Sequence, residues 1–399
     1  MNNKISLLMK TLAVNLTNAG KIDYNKWIFS STDNVKYNFN SKYLFEYVKE
    51  NVKGVTPYYV INDDKERERL QTKYGKEYFI ETTTIAGIKK AMQCGVWFTS
   101  AGLPVYGVGL RKRYIIVNLW HGVPLKKIGL LDPNLKGVKR LYFKKVFSDN
   151  YRYILTTSRK LVDVMRDSFE VEEKRIKIWG QPRNDGIFQA VDSRKILTKL
   201  YTNLPEYDKI ILYAPTFRDN SVTRLFPFPD LDIKKLEDFL EKKKVLILIR
   251  SHIYQELKGE IGEARRILEI NSDKVDDITD LLGMFDLLIT DYSSIYIDYL
   301  LTEHPLLFLP YDKEEYLKER GMNFEYDQVT PGPKPENMER FIHDIEELLF
   351  GIDSYKEERH KINCFFNQIQ KPCSKEICDR VQKLCLRVCE KSVKKGRKK

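Results

Sequence analysis

Thr290-Asp291-Tyr292-Ser293-Ser294 follows directly on the apolar run Leu287-Leu288-Ile289. A helix-like segment, Ile278 to Phe285, precedes that run, and an amphipathic one, Ile295 to Leu301, follows the serines. The order is strand, tight polar turn, helix start. Two adjacent hydroxyls beside the first backbone N–H groups of a helix make a place for phosphate. Ser and Asp also open helices as ordinary caps, so this stretch gains its weight from its company. Trp120-His121-Gly122, Tyr213-Ala214-Pro215-Thr216-Phe217-Arg218 and Arg250-Ser251-His252 each end or follow an apolar strand-like run. Four polar clusters at strand ends point to chemistry on a nucleotide or a phosphate.

Working outward, apolar runs and amphipathic segments alternate along most of the chain. Strands are expected at Lys26–Ser30, Pro57–Ile61, near Tyr78, and at Val96–Ser100, Tyr114–Leu119, Tyr153–Thr157 and Arg175–Trp179. Helices are expected at Lys42–Glu50, Lys65–Tyr74, Thr84–Gln93 and Ser158–Phe169. The pattern then restarts, with strands at Lys209–Tyr213, Lys244–Ile249, Asp286–Thr290 and Pro305–Leu309. Its helices are expected at Ile233–Glu241, Glu256–Leu268, Thr279–Met284 and Ile295–Leu301. Such alternation predicts α/β structure with doubly wound, mainly parallel, Rossmann-type sheets. At 399 residues the chain exceeds one ordinary core, so two lobes with a cleft between them are expected. The turn-rich Gly180-Gln181-Pro182-Arg183-Asn184-Asp185-Gly186 marks the boundary, giving lobes at 1–187 and 188–365, then a C-terminal helix and basic tail at 366–399.

The formal net charge of +12 implies an anionic partner. No nucleic-acid module is recognisable, so the charge is assigned to phosphates and an anionic membrane surface rather than to nucleic acid. No apolar run reaches the roughly 18 to 20 residues that span a bilayer. For residues 1–20, an interfacial helix and a helix packed on the first lobe stay equally open. Cys364, Cys373, Cys378, Cys385 and Cys389 crowd the end of the chain without a CxxC pattern. Cys378, Cys385 and Cys389 share a helical face, which favours packing over metal binding, and a reducing compartment is expected.

Taken together, the polar clusters resemble the CDP-glycerol glycerophosphotransferase family, whose members prime and polymerise wall teichoic acid and related capsule polymers. The matching residues are Asn118-Leu119-Trp120-His121-Gly122-Val123-Pro124-Leu125-Lys126, Gly180-Gln181-Pro182-Arg183-Asn184-Asp185 and Tyr213-Ala214-Pro215-Thr216-Phe217-Arg218. They continue with Ile249-Arg250-Ser251-His252, Asp276-Asp277-Ile278, Thr290-Asp291-Tyr292-Ser293-Ser294 and Asp298-Tyr299. Tyr311-Asp312, Tyr316, Arg320-Gly321 and Pro331-Gly332-Pro333 complete a set that runs, in order, from about Trp27 to Leu349. The resemblance implies a GT-B-like fold, CDP-glycerol or CDP-ribitol as donor, no metal or cofactor, and CMP release at the cytoplasmic membrane face. It also implies an acceptor-binding first lobe and a donor-binding second lobe.

Transfer of glycerol phosphate from a CDP carrier requires an acceptor hydroxyl to attack the outer phosphorus in line with departing CMP. That step needs a base for the hydroxyl and positive or hydrogen-bonding groups for the phosphate. His121 is the expected base, and Gly122 lets substrate approach the backbone beside Trp120. His252 is expected to hydrogen-bond the pyrophosphate or leaving CMP, with Arg250 pairing an oxygen. Ser293 and Ser294 are the expected phosphate cradle, and Asp291 orients the turn or bonds the ribose. Two roles stay open for Arg218, a phosphate clamp or an interlobe salt bridge. Two stay open for Asp185, fixing the interlobe loop or positioning the acceptor. Asp276 and Asp277 are expected to cap a helix.

His304, His343 and His360 are expected to be inert, and Asp230-Leu231-Asp232 follows a Pro-Phe-Pro loop that does not suit a metal site. The absence of Walker and GxGxxG loops argues against ATP hydrolysis and NAD chemistry. Arg111-Lys112-Arg113, Lys126-Lys127, Lys136, Lys139-Arg140 and Lys144-Lys145, interleaved with Leu130, Leu131, Leu141, Tyr142, Phe143, Val146 and Phe147, are expected to form an amphipathic element on anionic lipid. The leading expectation is therefore transfer of a polyol phosphate to a polyprenyl-diphosphate-linked acceptor. A GT-B glycosyltransferase using a sugar nucleotide and a catalytically silent membrane scaffold are the alternatives.

Overall fold

The computed structural model describes residue 14, residues 20–216, residue 218, residues 223–250 and residues 264–396, without the side chains of 319, 320 and 391–396. The chain divides into two compact units: residues up to Asp185 with the C-terminal segment from Lys371, and Gly186–Gln370.

The first unit is built on seven parallel strands, β1 Asp23–Ser30, β2 Thr56–Val60, β3 Phe79–Ile80, β4 Cys94–Thr99, β5 Ile115–Asn118, β6 Tyr153–Thr156 and β7 Ile176–Ile178, in the order 3-2-1-4-5-6-7. The central strands are buried on both faces, as a parallel sheet covered by helices requires. Trp97 packs at a tilt against Tyr114 in this core, and Phe29 stacks on Phe98. Helix Phe39–Asn51 follows β1, helix Asp64–Tyr74 follows β2 and helix Ile85–Met92 follows β3. Strand order reverses between β1 and β4, the position where an open α/β sheet leaves a crevice at its carboxyl edge. In that register Ser30 pairs with Thr99 and Thr99 with Asn118, so the loops leaving β1, β4 and β5 emerge side by side.

The second unit holds five parallel strands, β8 Lys209–Tyr213, β9 Val245–Ile249, β10 Ile267–Glu269, β11 Leu287–Thr290 and β12 Leu306–Phe308, in the order 10-9-8-11-12. Helices Ile233–Lys243 and Met338–Phe350 lay Leu236, Leu240, Phe341 and Ile345 on the sheet. One expectation needs correcting. Ile267 and Leu268 were placed in a helix from Glu256, but they form β10 on the sheet edge, and 251–263 lie outside the described residues. A short apolar run has no periodicity of its own to separate strand from helix.

The C-terminal helix Ser374–Gly396 returns to the first unit. Its inward stripe carries Ile377, Cys378, Val381 and Cys385, all buried, while Cys389 is exposed. The cysteines are free thiols, and burial pushes Cys385 up to about 12. Asp185 anchors this helix: its two carboxylate oxygens accept from the backbone N–H groups of Cys373 at 2.7 Å and Ser374 at 3.0 Å. Asp185 thus caps the start of this helix. Asp185→Ala should lower stability by about 1 kcal/mol, measured by thermal melting, with the loss confined to docking of this helix.

Candidate active site

In the first unit, the chain leaving β5 turns sharply. The side chain of Asn118 accepts from the Trp120 N–H at 2.8 Å and holds Trp120 at φ 57°, a left-handed conformation that a tryptophan adopts only under constraint. Gly122, at φ 150°, completes the turn. The result projects His121 over the carboxyl edge of the sheet. Its ring lies between two aromatics, at 4.1 Å from Trp120 and 5.0 Å from Phe39 between centroids. Phe39 begins the helix after β1 and is itself left-handed at φ 58°.

The imidazole is fixed by one hydrogen bond, Nδ1 to the carbonyl of Ser100 at 2.9 Å. A carbonyl only accepts, so Nδ1 carries the proton and Nε2 presents a lone pair. Burial holds the ring's pKa below its ordinary value; the Ser100 carbonyl opposes that shift and the nearby Arg183 charge adds to it. At neutral pH the group is thus a neutral imidazole with its basic nitrogen set by geometry.

Two residues in this site carried no functional assignment in the sequence. Asn40 is fully buried and donates to the carbonyls of Leu119 at 3.2 Å and Trp120 at 2.9 Å, while its own oxygen accepts from the Arg183 N–H at 3.1 Å. Arg183 in turn donates to the His121 carbonyl at 2.8 Å. Asn40 and Arg183 therefore clamp the backbone on both sides of His121. Arg183 stood within a quoted motif, but nothing local marks Asn40, whose partners lie 79 to 143 positions away.

The second unit gathers its polar residues at the carboxyl ends of β8, β11 and β12. Asp291 Oδ1 accepts from Thr216 N at 2.8 Å, Thr216 Oγ1 at 2.5 Å and Tyr292 N at 2.6 Å. Thr290 Oγ1 donates to the Ala214 carbonyl at 2.7 Å, and Tyr326 donates to the Asp291 carbonyl at 2.8 Å. Asp291 thus ties the turn after β11 to Thr216.

Arg218 is buried at the middle of this network. It forms a fork with Asp312, Nε to Oδ2 at 2.8 Å and Nη2 to Oδ1 at 2.9 Å, lies 2.9 Å from Asp291 Oδ2, and donates to the Thr216 carbonyl at 2.5 Å. Tyr292, Tyr311 and Tyr316 surround the guanidinium at 5.1 to 5.3 Å. Burial pulls the Arg218 pKa down, but the Asp312 hydrogen bonds and the Asp291 charge outweigh it, and the net shift is upward. Within its own unit the Arg218 guanidinium is the hub of an ion-pair network. Its charge is neutralised by two carboxylates, so it is a poor phosphate clamp.

Arg250 is likewise turned to the backbone. It donates to the carbonyls of Ile270 at 3.0 Å, Val275 at 2.6 Å and Asp276 at 3.1 Å, pinning the loop that leads from β10 to Asp277. Burial lowers its pKa, against the raising charges of Asp277 and Asp276. Arg250 shapes the loop next to the expected donor site rather than being left to pair freely with a phosphate. Asp277 caps the turn Ile278–Met284 by accepting from Thr279 N at 3.0 Å, as expected of it.

Ser293 and Ser294 sit where the sequence placed them, half-buried after β11 and ahead of the short helix Ile295–Tyr299. Ser293 Oγ accepts from Ile295 N at 3.4 Å, a long contact that leaves the hydroxyl weakly engaged. Ser251 and His252 lie outside the described residues. Among the described residues no cluster of three or more metal-ligating side chains occurs.

A family model described as CDP-Glycerol:Poly(glycerophosphate) glycerophosphotransferase matches residues 11–383. The teichoic acid ribitol-phosphate primase of Bacillus spizizenii is 32% identical over 248 residues, and the match spans 61% of this chain and 63% of that protein. The teichoic acid glycerol-phosphate transferase of Staphylococcus aureus is 28% identical over 373 residues, 90% of this chain and 91% of that protein. The solved structure of the wall teichoic acid polymerase TagF matches with a TM-score of 0.76 at 23% identity, over 97% of this chain and 96% of that one. That likeness bears out the α/β, GT-B-like fold class. The chain belongs to the CDP-glycerol:poly(glycerophosphate) glycerophosphotransferase family.

Proposed function

We propose that the protein transfers glycerol phosphate or ribitol phosphate from a CDP-activated donor to a hydroxyl of a polyprenyl-diphosphate-linked acceptor, releasing CMP. The observation that carries this reading is the set tautomer of His121. With Nδ1 bound to the Ser100 carbonyl, Nε2 is left to take the acceptor proton as its oxygen attacks phosphorus. Ser293 and Ser294, at a helix start, suit the phosphate of the donor. The backbone clamp of Asn40 and Arg183 keeps the base in place, which is where positioning contributes to rate.

The reaction belongs at the cytoplasmic face of the membrane, with the protein bound peripherally. Among the described residues no helix is long and apolar enough to cross a bilayer. Helix Gly137–Tyr142 instead presents Val138, 83% exposed, and Leu141, 59% exposed, beside Lys136 and Lys139. Arg140 is paired with Glu170, and Lys144 and Lys145 with Asp149, so fewer cations face outward than the sequence suggested. Phe143 and Phe147 pack inward on the core.

Purified protein given CDP-glycerol or CDP-ribitol and a lipid-linked disaccharide should release CMP with one donor and only when acceptor is present. Because burial lowers the His121 pKa, the neutral base persists as the pH falls. The acid limb of kcat/KM should accordingly lie below the ordinary imidazole value of about 6.5. Silence with both donors, together with turnover of a sugar nucleotide, would overturn the proposal.

A further inference from the structure

On the first unit, away from the His121 loop, two cavities of about 480 and 470 Å³ adjoin and share Tyr153 and Lys177. Neither is lined by any residue of the His121 site. The first is walled by six cations and no acid: Arg111, Lys112, Arg152, Lys174, Arg175 and Lys177. They come from the segments that enter β5, β6 and β7, so adjacent strands, about 4.8 Å apart, set them in a row. The second cavity continues the row onto the C-terminal helix through Arg380, Lys383 and Arg387, and its wall also carries Glu376, paired with Arg380, and Asp379, paired with Lys375. Those three are spaced i, i+3 and i+7 and share one helix face. Trp179 lies between, 5.5 Å from Tyr153 and 5.4 Å from the Arg380 guanidinium.

Much of this charge meets no carboxylate among the described residues, although Lys177 lies over the Tyr153 ring. Among the described residues, Arg111, Lys112, Arg152, Lys177, Lys383 and Arg387 form no ion pair, whereas Lys174 meets Glu172 and Arg380 meets Glu376. Arg175 is buried and gives its guanidinium to the carbonyls of Ser148 and Tyr151. Its pKa is pushed down to about 10, by burial first and then by the charge of Arg111. A concave row of like charges opposes itself unless a ligand of opposite charge occupies it.

We propose that this groove binds a lipid-free stretch of phosphodiester polymer, a polyanion with one charge per repeat, and so holds the grown part of the acceptor away from the reacting end. The inference rests on the reading under Proposed function and extends it to an acceptor that already carries several transferred polyol phosphates. A groove with an aromatic floor, none of whose lining residues is an exposed large hydrophobic, suits a soluble polyanion. A bilayer would instead meet the exposed apolar pair Val138 and Leu141, on a separate segment. Tyr153 and Trp179 suit the carbon backbone between phosphates, and the cations suit the phosphates themselves.

The test is binding of a fluorescent, lipid-free poly(glycerol phosphate) oligomer of about ten repeats to the full chain and to Lys112→Glu/Lys177→Glu. Lys112 is exposed and Lys177 half-buried on β7 over the Tyr153 ring, so thermal melting checks that the variant folds. Wild type should bind the oligomer, lose it with added salt, and ignore an uncharged polyglycerol. The variant should bind about tenfold or more weakly, while CMP release with a disaccharide acceptor stays unchanged. Equal oligomer binding by both proteins would overturn the proposal. So would a loss seen only with phosphatidylglycerol vesicles, which would assign the groove to lipid. Because binding is read without turnover, a failure of the transferase reading appears separately, as absent CMP release in wild type with the oligomer still bound.

Discussion

Replacing His121 with alanine should lower kcat/KM for CMP release by about 10²- to 10⁴-fold, the usual contribution of a positioned general base. The ring Nε2 is the only part of the residue able to take the proton, because Nδ1 is committed to Ser100. Loss of the ring also removes its stacking on Trp120 and Phe39, so the variant must be shown to melt near wild type. His121→Asn separates the two effects. It restores polar bulk without a titratable nitrogen, and should remain as inactive as alanine and lose the acid limb of the pH profile. Activity within about threefold of wild type would place the base elsewhere.

Breaking the Arg218 network should give the largest loss of stability. Arg218 has a side chain only 4% exposed, against Asp312 at 17% and Asp291 at 3%. Arg218→Met leaves two carboxylates facing each other in a site walled by tyrosines, which costs about 3 to 5 kcal/mol. The loss should appear as a lowered midpoint in urea with CMP release in the surviving folded fraction affected far less. The paired change Arg218→Met/Asp312→Asn should recover part of it, because it removes a buried charge along with its partner. Tyr292 supports this reading: its hydroxyl donates to Asp312 Oδ1 at 2.9 Å and its ring stacks on Tyr316 at 4.0 Å. A double variant as unstable as the sum of the singles would show that the ion pair is not the unit of stability.

The strands were legible because each parallel strand is a short, near-continuous apolar run between polar turns, a pattern local to five or six residues. Lys209–Tyr213 coincides with β8 residue for residue, and most other strands differ by one or two positions at their ends. The run at Ile267-Leu268 failed for the converse reason: three residues at a sheet edge carry too little pattern of their own to be told from a helix by sequence. The helices Lys313–Arg320, Tyr326–Val329, Met338–Phe350 and Lys356–Phe366 follow the last strand, where alternation with strands no longer announces them.

Charge was the least legible property. Arg218, Arg250 and Asp185 all stand at strand ends or in turns, where a sequence suggests contact with ligand. The structure turns each one inward, to Asp312, to the Ile270–Asp276 carbonyls and to the start of the C-terminal helix. A buried cation or carboxylate is stable only with its partners satisfied, and those partners lie 94, 25 and 188 positions away. Asn40 shows the same limit from the other side, as an unremarked asparagine whose bonds hold the His121 backbone.

By itself the sequence determined the two parallel sheets, the family and the position of His121 and the serine pair, because strand pattern and motif order are local and survive without the fold. Only the tertiary structure decided which proton His121 carries, which charged groups are spent on the protein's own backbone, and which cations are left unpaired along one groove. Those outcomes depend on burial and on hydrogen-bond partners brought together from distant parts of the chain, and no local pattern encodes them.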